Sequence, residues 1–419
     1  MKHSRTLAAA AATLLMATAG LTACSTGGSP SSASSEGQTI NVLGYQPIPQ
    51  EILDDFKTKT GITVKLDRQG GGDFAQILQS RVSAKADIDV LNVRAGAEFN
   101  KYAKANSFED LSGQGLLNNV DEIGLEPGKV DGKTYGYSQS SYVTGVFYNK
   151  NIFNKLGIQV PTSWDELTAA AAKIKAAGTA PFVFTAADAW TNQYFYHNAI
   201  AVYAKEHPTF MEDLATGKAK WQDNTLFTKQ VQRFQDLVKK DYFVPGANSL
   251  PGQEGQNMFA SGKAAMYLMG TWTLSSLTPA GFEMGMFPLP INDAGQPPAP
   301  ASSLADNMYT VTSWSKKKDA ALKFLDFMTQ KESATKYSEA NKNASTIKGA
   351  TGNFSPYQAD SDALTKTAAP YPTNMGPSVN GTGPGILGDI IAGTASADDA
   401  VKKFQSLQDD DNQTDYNTP

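Results

Sequence analysis

A strand–helix–strand pattern occurs twice in succession early in the chain, and it restricts the fold more than any other feature. In the first copy, TINVLGY (39–45) is typical of a strand, the next segment places Ile52, Leu53 and Phe56 on one helical face, and ITVKLDR (62–68) returns to a strand. In the second copy, FAQILQSRVSAKA predicts a helix and DIDVLNV a strand. Two such units predict an α/β fold, with a largely parallel sheet covered by helices on both faces.

The length of the chain predicts two domains. About 380 of the 419 residues follow Thr39, where we expect the folded part to begin, and this is more than one hydrophobic core usually holds. No stretch within this part is long and apolar enough to cross a membrane. Without Lys2 and Arg5, 34 basic residues stand against 41 acidic ones, a net charge of −7. This balance argues against a nucleic-acid partner.

The first residues predict export from the cell. Lys2 and Arg5 precede an apolar run (7–20) that is too short to span a bilayer, as in a secretion signal. The following LTAC (21–24) resembles the lipobox of bacterial lipoproteins, in which the cysteine becomes the first mature residue and carries lipid. The alternative is an ordinary secretion signal in which the cysteine has no role. We expect the lipoprotein signal, and hence a signal peptide over 1–23.

Cys24 is the only cysteine of the chain, so it cannot form an internal disulfide. Two acyl chains on its thiol would anchor the protein stably to a membrane, whereas a single chain gives only marginal binding. The segment that follows is rich in Ser and Gly and too polar to bury a core. We therefore expect residues 24–38 to be a flexible tether between the membrane and the folded part.

The sequence lacks the residues that most catalytic and metal-binding sites need. His3 leaves with the signal, and His197 and His207 have no partner at metal-ligand spacing. There is no G-x-S-x-G elbow, and GKVDGKT has three residues between its glycines where a phosphate-binding loop needs four. A catalytic pair of carboxylates remains an alternative, because the 41 acidic residues offer many pairs. An extracellular glycoside hydrolase or polysaccharide lyase is therefore the alternative function.

Ordered landmarks along the chain resemble the extracellular solute-binding proteins of carbohydrate ABC transporters, the maltose-binding-protein-like family. They are DGKTYG (131–136), PTSWDEL (161–167), FASGKAAMYLMGTW (259–272) and the segment from DAALKF to KNAST (319–346). The resemblance implies two α/β domains of the periplasmic-binding-protein type, joined by a three-crossing hinge, with the ligand in the interdomain cleft. The matching landmarks place the crossings near Val143, Phe287 and Phe327. The domains would then be 39–143 plus 288–327, and 144–287 plus 328–419.

The same resemblance implies a function. We expect a monomeric, lipid-anchored receptor on the outer face of the cell membrane, which captures a sugar and delivers it to the permease subunits of an ABC transporter. The sugar is expected to be a short oligosaccharide, and capture requires no catalysis, cofactor or metal. A binding protein for a peptide or a polyamine is a further alternative. A polyamine pocket should concentrate carboxylates, whereas the candidate residues below mix Arg, Asp, Asn, Gln and aromatic side chains.

Candidate ligand residues are aromatic or polar side chains at the ends of predicted strands. Sugar binding combines stacking on aromatic rings with dense hydrogen bonding, and open α/β sheets bind ligands at the carboxyl ends of their strands. From the first domain we expect Tyr45, Gln46, Asp73 and Arg94. From the crossover and the second domain we expect Tyr142, Asp188, Trp190, Trp272, Tyr371 and Asn374, and from the segment before MYTVTS we expect Asp306 and Asn307.

Two of these residues carry further expectations. Trp272 lies in GTW, where the resembled family often has a sugar-stacking tryptophan, and Tyr142 occupies a position that is often acidic in that family. By contrast, Trp164 follows Ser163 and lies before Glu166, a spacing typical of a helix capping box. We therefore expect Trp164 to pack in the protein rather than to contact the ligand.

Overall fold

The computed structural model describes residues 37–69, 74–277, 280–352 and 358–414. Within this part of the chain, no helix has the length and apolar character needed to cross a membrane. The strands are β1 (Thr39–Gly44), β2 (Thr63–Arg68), β3 (Val90–Arg94), β4 (Lys129–Val130), β5 (Lys133–Thr134), β6 (Tyr137–Ser138), β7 (Ser140–Asn149), β8 (Ala180–Val183), β9 (Ala264–Gly270), β10 (Met284–Phe287), β11 (Ser302–Leu304), β12 (Asn307–Val311), β13 (Ala344–Ser345) and β14 (Ala369–Pro370).

The helices are α1 (Gln50–Thr60), α2 (Phe74–Ser83), α3 (Ala97–Lys104), α4 (Glu122–Leu125), α5 (Lys150–Lys155), α6 (Trp164–Ala176), α7 (Tyr194–Glu206), α8 (Phe210–Ala215), α9 (Thr225–Lys239), α10 (Gly252–Ala260), α11 (Leu274–Leu277), α12 (Lys318–Met328), α13 (Lys331–Asn341), α14 (Gln358–Thr367), α15 (Pro377–Thr382), α16 (Ile386–Ile391) and α17 (Ala397–Gln413).

The first sheet has the strand order β2-β1-β3-β12-β6. Its parallel part, β2-β1-β3, is the pair of strand–helix–strand units predicted from the sequence. Neighbouring residues of β1 face opposite cores: Val42 packs with α1, α12 and α13, whereas Leu43 packs with α2 and α3. Helices on both faces are therefore confirmed, and Ile52, Leu53 and Phe56 are the buried residues of α1.

The second sheet has the order β14-β11-β7-β9-β8, and β10 and β13 also pair with β7. The strand β7 is buried over almost its whole length and pairs with four other strands, β9, β10, β11 and β13. The adjacent strands β8 and β9 are parallel, so their carboxyl ends lie at the same edge. We call the first sheet with α1–α3, α12 and α13 the first lobe, and the second sheet with its remaining helices from α5 onward the second lobe.

Within the described residues the chain passes between the two sheets at three places, and two of the predicted positions are wrong. The first passage is at Gln139, between β6 and β7, close to the predicted Val143. The second lies between β11 and β12, not near Phe287. The third comes after Ala350, not near Phe327, because the apolar faces of α12 and α13 are buried in the first lobe. Residues 288–304 therefore belong with the second lobe and residues 328–350 with the first.

The contact that assigns α12 to the first lobe is aromatic. The ring of Phe324 lies 5.1 Å from that of Phe56 on α1, and Phe327 lies 5.3 Å from the same ring. Tyr337 of α13 is fully buried in the same core, where its hydroxyl accepts a hydrogen bond from Asn307. These contacts fix both helices to the first sheet.

Candidate ligand-binding site

Four aromatic side chains of the second lobe follow one another in a row. The ring centroids are 5.6 Å apart from Tyr142 to Trp272, 5.3 Å from Trp272 to Tyr194, and 6.3 Å from Tyr194 to Trp190. Tyr142 is buried, Trp272 is partly buried, and Trp190 is 48% exposed. We call these residues the aromatic row; it runs from the protein interior to the surface.

The sheet explains why these residues meet. Trp272 is the second residue after β9, and Trp190 lies in a short 3-10 turn after β8. Because β8 and β9 are parallel neighbours, the segments after them leave the sheet at the same edge. Tyr194 is the first residue of α7 and lies between the two indoles. Tyr142 comes from β7, which pairs with β9 directly beside this point.

Three residues of the first sheet form a second group, which we call the polar set: Tyr45, Arg94 and Asp306. Tyr45 follows β1, Arg94 ends β3, and Asp306 precedes the antiparallel strand β12, so all three lie at one edge of the first sheet. The Tyr45 hydroxyl donates a hydrogen bond to the Asp306 carbonyl oxygen at 3.2 Å. The Arg94 guanidinium lies 5.4 Å from the centre of the Tyr45 ring, within the range of a cation–π contact.

The charge of Asp306 influences residues of both groups. Burial raises the pKa of the Asp306 carboxyl above its ordinary value, while Arg94 opposes this shift. Burial, followed by the charge of Asp306, raises the pKa of Tyr142 to about 12 and also raises the pKa of Tyr45 and Tyr194. One carboxylate therefore acts on tyrosines of both lobes. At neutral pH these tyrosines carry their protons and can both donate and accept hydrogen bonds.

Asn307 is not in this group, which corrects its prediction as a ligand residue. Its side chain is fully buried. Its amide donates to Ser140 Oγ at 3.2 Å and to the Tyr337 hydroxyl at 2.7 Å, and its oxygen accepts from Asn92 Nδ2 at 2.5 Å. These bonds occupy both donor hydrogens and the acceptor, so Asn307 ties β3, β7 and α13 together beside the first passage of the chain.

Asp188 and Gln46 have contacts within the protein. Asp188 Oδ2 accepts the backbone N–H of Gly252 at 2.5 Å, which satisfies a free donor at the start of α10. The backbone N–H of Gln46 donates to Asn92 Oδ1 at 3.1 Å, and its side chain is half-buried. Asp188 is thus a helix-capping residue beside the row, and Gln46 lies next to the polar set in the chain.

Tyr371 contacts the aromatic row indirectly, through His197. Its ring is buried and stacks on His197, with centroids 3.3 Å apart, and His197 in turn lies 5.2 Å from Tyr194. His197 Nδ1 is 3.0 Å from Ser302 Oγ, and burial lowers the pKa of this imidazole well below its ordinary value. Asn374 is exposed. The other two candidates, Asp73 and the lipidation candidate Cys24, lie outside the described residues.

Tyr194 is the residue that the sequence analysis missed. Its segment, YFYHNAIAVY (194–203), contains mostly buried side chains and is typical of a core helix. The available signal was its position, since it begins a helix directly after the loop that follows β8. Its ring contacts both tryptophans, which makes it the centre of the row.

Trp164 packs away from this site, as predicted. Its side chain is buried, and the Arg233 guanidinium lies 5.0 Å from its ring centre. Ser163 caps α6, with its oxygen accepting from Glu166 N at 3.3 Å. The return bond of the predicted capping box differs, because Glu166 Oε2 accepts the N–H of Thr162 at 2.7 Å. Trp164 therefore offers a buried tryptophan for comparison with Trp272.

The chemistry available to the site is recognition by stacking and hydrogen bonding. Among the residues that the structure describes, no group of three or more His, Cys, Asp or Glu side chains is arranged to hold a metal ion. The aromatic row offers apolar ring faces, and the polar set offers a guanidinium, a carboxylate and a hydroxyl.

Comparisons with known proteins agree with this architecture. The multiple sugar-binding protein of Streptococcus mutans is 26% identical over 312 residues, which cover 72% of each chain. The structure of a chitin oligosaccharide binding protein superposes with a TM-score of 0.77 at 24% identity, covering 90% of this chain and all of that one. The ligand-free RafE protein from Streptococcus pneumoniae gives a TM-score of 0.72 at 22% identity, covering 90% of this chain and 99% of that one.

The sequence model of one family matches most of the folded part. It is described as "Bacterial extracellular solute-binding protein", and it aligns with residues 41–335. This match covers more than half of the chain and spans both lobes. The chain therefore belongs to the family of bacterial extracellular solute-binding proteins.

Proposed function

We propose that this protein captures a sugar between its two lobes and delivers it to the permease of an ABC transporter. The observation that supports this most is that the charge of Asp306, in the polar set of the first lobe, influences Tyr142 and Tyr194 in the aromatic row of the second. A sugar ring has apolar C–H faces and a rim of hydroxyl groups. Aromatic rings cover such faces, while charged and hydroxyl side chains bind the rim. The relatives named for sugars, chitin oligosaccharide and raffinose support the same class of ligand.

The length of the aromatic row favours an oligosaccharide over a single sugar ring. Trp272 and Trp190 are separated by Tyr194, with ring steps of 5.3 and 6.3 Å on either side. One sugar ring cannot cover both indoles at once. A chain of linked rings can place one unit on Trp272 in the interior and a later unit on Trp190 at the surface.

Capture needs no bond chemistry. The chain passes between the lobes at Gln139, at residues 305–306 and after Ala350, so the lobes can change their separation by rotation at these connections. A ligand that contacts both lobes favours the closed arrangement by its differential affinity for it. Micromolar capture corresponds to about −8.2 kcal/mol in total.

A thermal-shift screen with matched ligand classes tests this proposal. The panel contains monosaccharides, raffinose and chitin disaccharide, with a tripeptide and spermidine as controls. A sugar at about 100 times its Kd should stabilise the folded protein by about 2.7 kcal/mol and raise its Tm by several degrees. Stabilisation by spermidine or the peptide, with none by any sugar, would contradict the proposal and favour the alternative binders.

The absence of catalysis has its own test, because a hydrolase could also bind an oligosaccharide with these side chains. After long incubation with the purified protein, the bound sugar should be recovered unchanged, as judged by chromatography of the released ligand. Cleavage products that disappear in the Asp306→Asn variant would place the protein among the glycoside hydrolases or lyases instead.

Anchoring to the outer face of the membrane completes the proposal. The support is the sequence around Cys24, with an apolar signal before it and a polar tether after it. Metabolic labelling with a fatty acid should mark the wild-type protein. The Cys24→Ser variant should lose the label, and should either be released or stay as the unprocessed precursor. A Cys24→Ser protein that matures normally and stays with the membrane fraction would contradict lipidation.

A further inference from the structure

Gly270 lies directly against the ring of Trp272. Its backbone angles, φ −97° and ψ 163°, are those of an extended strand, which any residue adopts. The conformation of the chain therefore does not require glycine here. A methyl group at this position would instead overlap the indole of Trp272 at Cζ3, Cη2 and Cε3. The space that the missing side chain leaves is filled by the ring.

The backbone under the ring is held firmly. Gly270 is the last residue of β9 and pairs with Thr144 of β7. Its carbonyl oxygen accepts a hydrogen bond from Thr273 Oγ1 at 2.8 Å, and Thr271 Oγ1 accepts the N–H of Val143 at 3.3 Å. These bonds fix the turn that carries Trp272, so the indole packs against a rigid backbone.

Two tyrosines contact the same indole from its sides. Tyr142 meets it edge-on at 78°, and Tyr194 meets it at 55°. Together with the Gly270 backbone they support the ring from three directions. The part of the indole that remains accessible is then the part available to a ligand.

We propose that Gly270 is a positioning residue that sets the depth and tilt of the Trp272 ring in the cleft. A side chain at position 270 would lift the indole off the strand and into the space that the ligand needs. The effect on ligand binding rests on the proposed function, whereas the placement of the ring does not. The two parts are therefore tested separately.

Gly285 provides a matched control in the same sheet. It lies in β10, which pairs with β7, and its methyl group would overlap the ring of Tyr148. Tyr148 packs on Phe153 and Phe287 and is not part of the aromatic row. Gly285→Ala thus introduces a similar clash with an aromatic ring in the same lobe, but at a ring outside the proposed site.

The first test needs no ligand. The protein is labelled with fluorinated tryptophan, and fluorine NMR resolves its five tryptophans. The signal that is lost in Trp272→Phe identifies Trp272. Gly270→Ala should shift this signal more than that of Trp164, Trp221 or Trp314, and Gly285→Ala should leave it in place. An unshifted Trp272 signal in Gly270→Ala would overturn the proposal.

Thermal melts give an independent readout of the same contact. Both alanine variants should lower the Tm, because each crowds a packed ring. Adding Trp272→Phe, which lacks the second ring of the indole, should restore the Tm lost by Gly270→Ala but not the Tm lost by Gly285→Ala. Equal behaviour of the two pairs would contradict a specific contact between Gly270 and Trp272.

The second test measures binding by calorimetry, with raffinose as the probe, or chitin disaccharide if raffinose does not bind. Gly270→Ala should weaken binding about tenfold, and Gly285→Ala should leave the Kd unchanged. In a Trp272→Ala background, Gly270→Ala should have no further effect, because the ring is its only route to the ligand. A further loss in that background would overturn the positioning role. If wild-type protein binds neither sugar, the proposed function is what fails for these ligands, and the fluorine experiment still decides the placement of the ring.

Discussion

The two lobes place their candidate ligand-binding side chains at equivalent positions, but these side chains differ in chemistry. In both, the residues lie at one edge of a sheet, where neighbouring strands begin or end. The second lobe presents the rings of Trp272, Tyr194 and Trp190, whereas the first presents Arg94 and Asp306 beside a tyrosine. In the proposed binding site, the second lobe would therefore supply apolar area, and the first would supply directed hydrogen bonds.

This difference predicts that the aromatic row mainly determines affinity and the polar set mainly determines selectivity. Burying an aromatic face against a sugar is weakly directional, so it should strengthen binding of many sugars alike. A hydrogen bond depends on the position of a particular hydroxyl, and a buried polar group left unpaired by the wrong sugar is costly. Mutations in the aromatic row should lower affinity across the panel, and those in the polar set should change the ranking of the sugars.

The largest effect is expected for Trp272→Ala. Loss of a desolvated aromatic anchor costs about 2 kcal/mol, which is about thirtyfold in affinity. The Tm should fall less than in Trp164→Ala, because the Trp272 indole is only partly buried. Trp164→Ala is the control, since it deletes a buried packing residue and should cost about 3–5 kcal/mol of stability with little change in Kd. Calorimetry and thermal melts on both variants decide the matter. An unchanged Kd for Trp272→Ala would remove the main support for a stacked sugar.

A smaller loss, about tenfold, is expected for Asp306→Asn, because a hydrogen bond to a charged group contributes about 1.5–3 kcal/mol. The loss should differ among sugars, unlike that of Trp272→Ala. Asp188→Asn is the matched control: its carboxylate caps α10, so it should lower the Tm and leave the Kd nearly unchanged. The same loss for every sugar in Asp306→Asn would contradict a selective role for the polar set.

Asp306→Asn should also raise the Tm at neutral pH. Burial raises the pKa of the Asp306 carboxyl in the folded state, so its charged form costs stability above that pKa. As the pH falls through the raised pKa toward the ordinary value of 3.8, the folded protein takes up a proton and the cost disappears. The Tm advantage of the variant should shrink over this window, as measured by melts across the acidic range.

Trp190→Ala should weaken binding only a few-fold, because its indole is 48% exposed and excludes less water than Trp272. The loss should appear with oligosaccharides and be absent with monosaccharides, which cannot reach from Trp272 to the surface end of the row. Calorimetry with sugars of increasing length measures this. Equal losses for all lengths would mean that the ligand lies at Trp190 rather than along the row.

The smallest effect on affinity is expected from the buried His197, whose influence should appear in stability instead. Burial lowers its pKa well below 6.5, so the folded state keeps it neutral while the unfolded chain binds a proton below that pH. Stability should therefore fall as the pH drops below 6.5. His197→Asn should lose part of this slope, and the exposed His207→Gln should keep it. A slope that is identical in all three proteins would exclude His197 as its source.

The first sheet could be predicted from the sequence because its signals are local. The strand–helix periodicity around Phe56 does not depend on distant residues, and the structure has those elements where the pattern predicts them. The passages at residues 305–306 and after Ala350 could not be predicted in the same way. The apolar face of α12 shows that the helix is buried, but not in which lobe; contacts such as that between Phe324 and Phe56 decide this.

The site shows the same limit. The tryptophans of the row could be predicted because each follows a strand end, which is visible in the sequence. Asn307 also lies at a strand end, yet its amide is used up by Ser140, Tyr337 and Asn92, which are distant in the chain. Tyr194 was missed because its sequence neighbours are buried and typical of a core helix. Its own ring nevertheless contacts Trp272 in the aromatic row.

The strand order of the first sheet also constrains the route by which the chain can fold. The strand β12 lies between β3 and β6, although Asn92 of β3 and Asn307 of β12 are 215 residues apart in sequence. Until β12 arrives, β3 has an open edge, and the first lobe cannot close its core while the chain is only partly synthesised. The first lobe can therefore complete its core only after β12 has been synthesised. Until then the apolar faces of β1 and β3 remain open to contacts with other molecules.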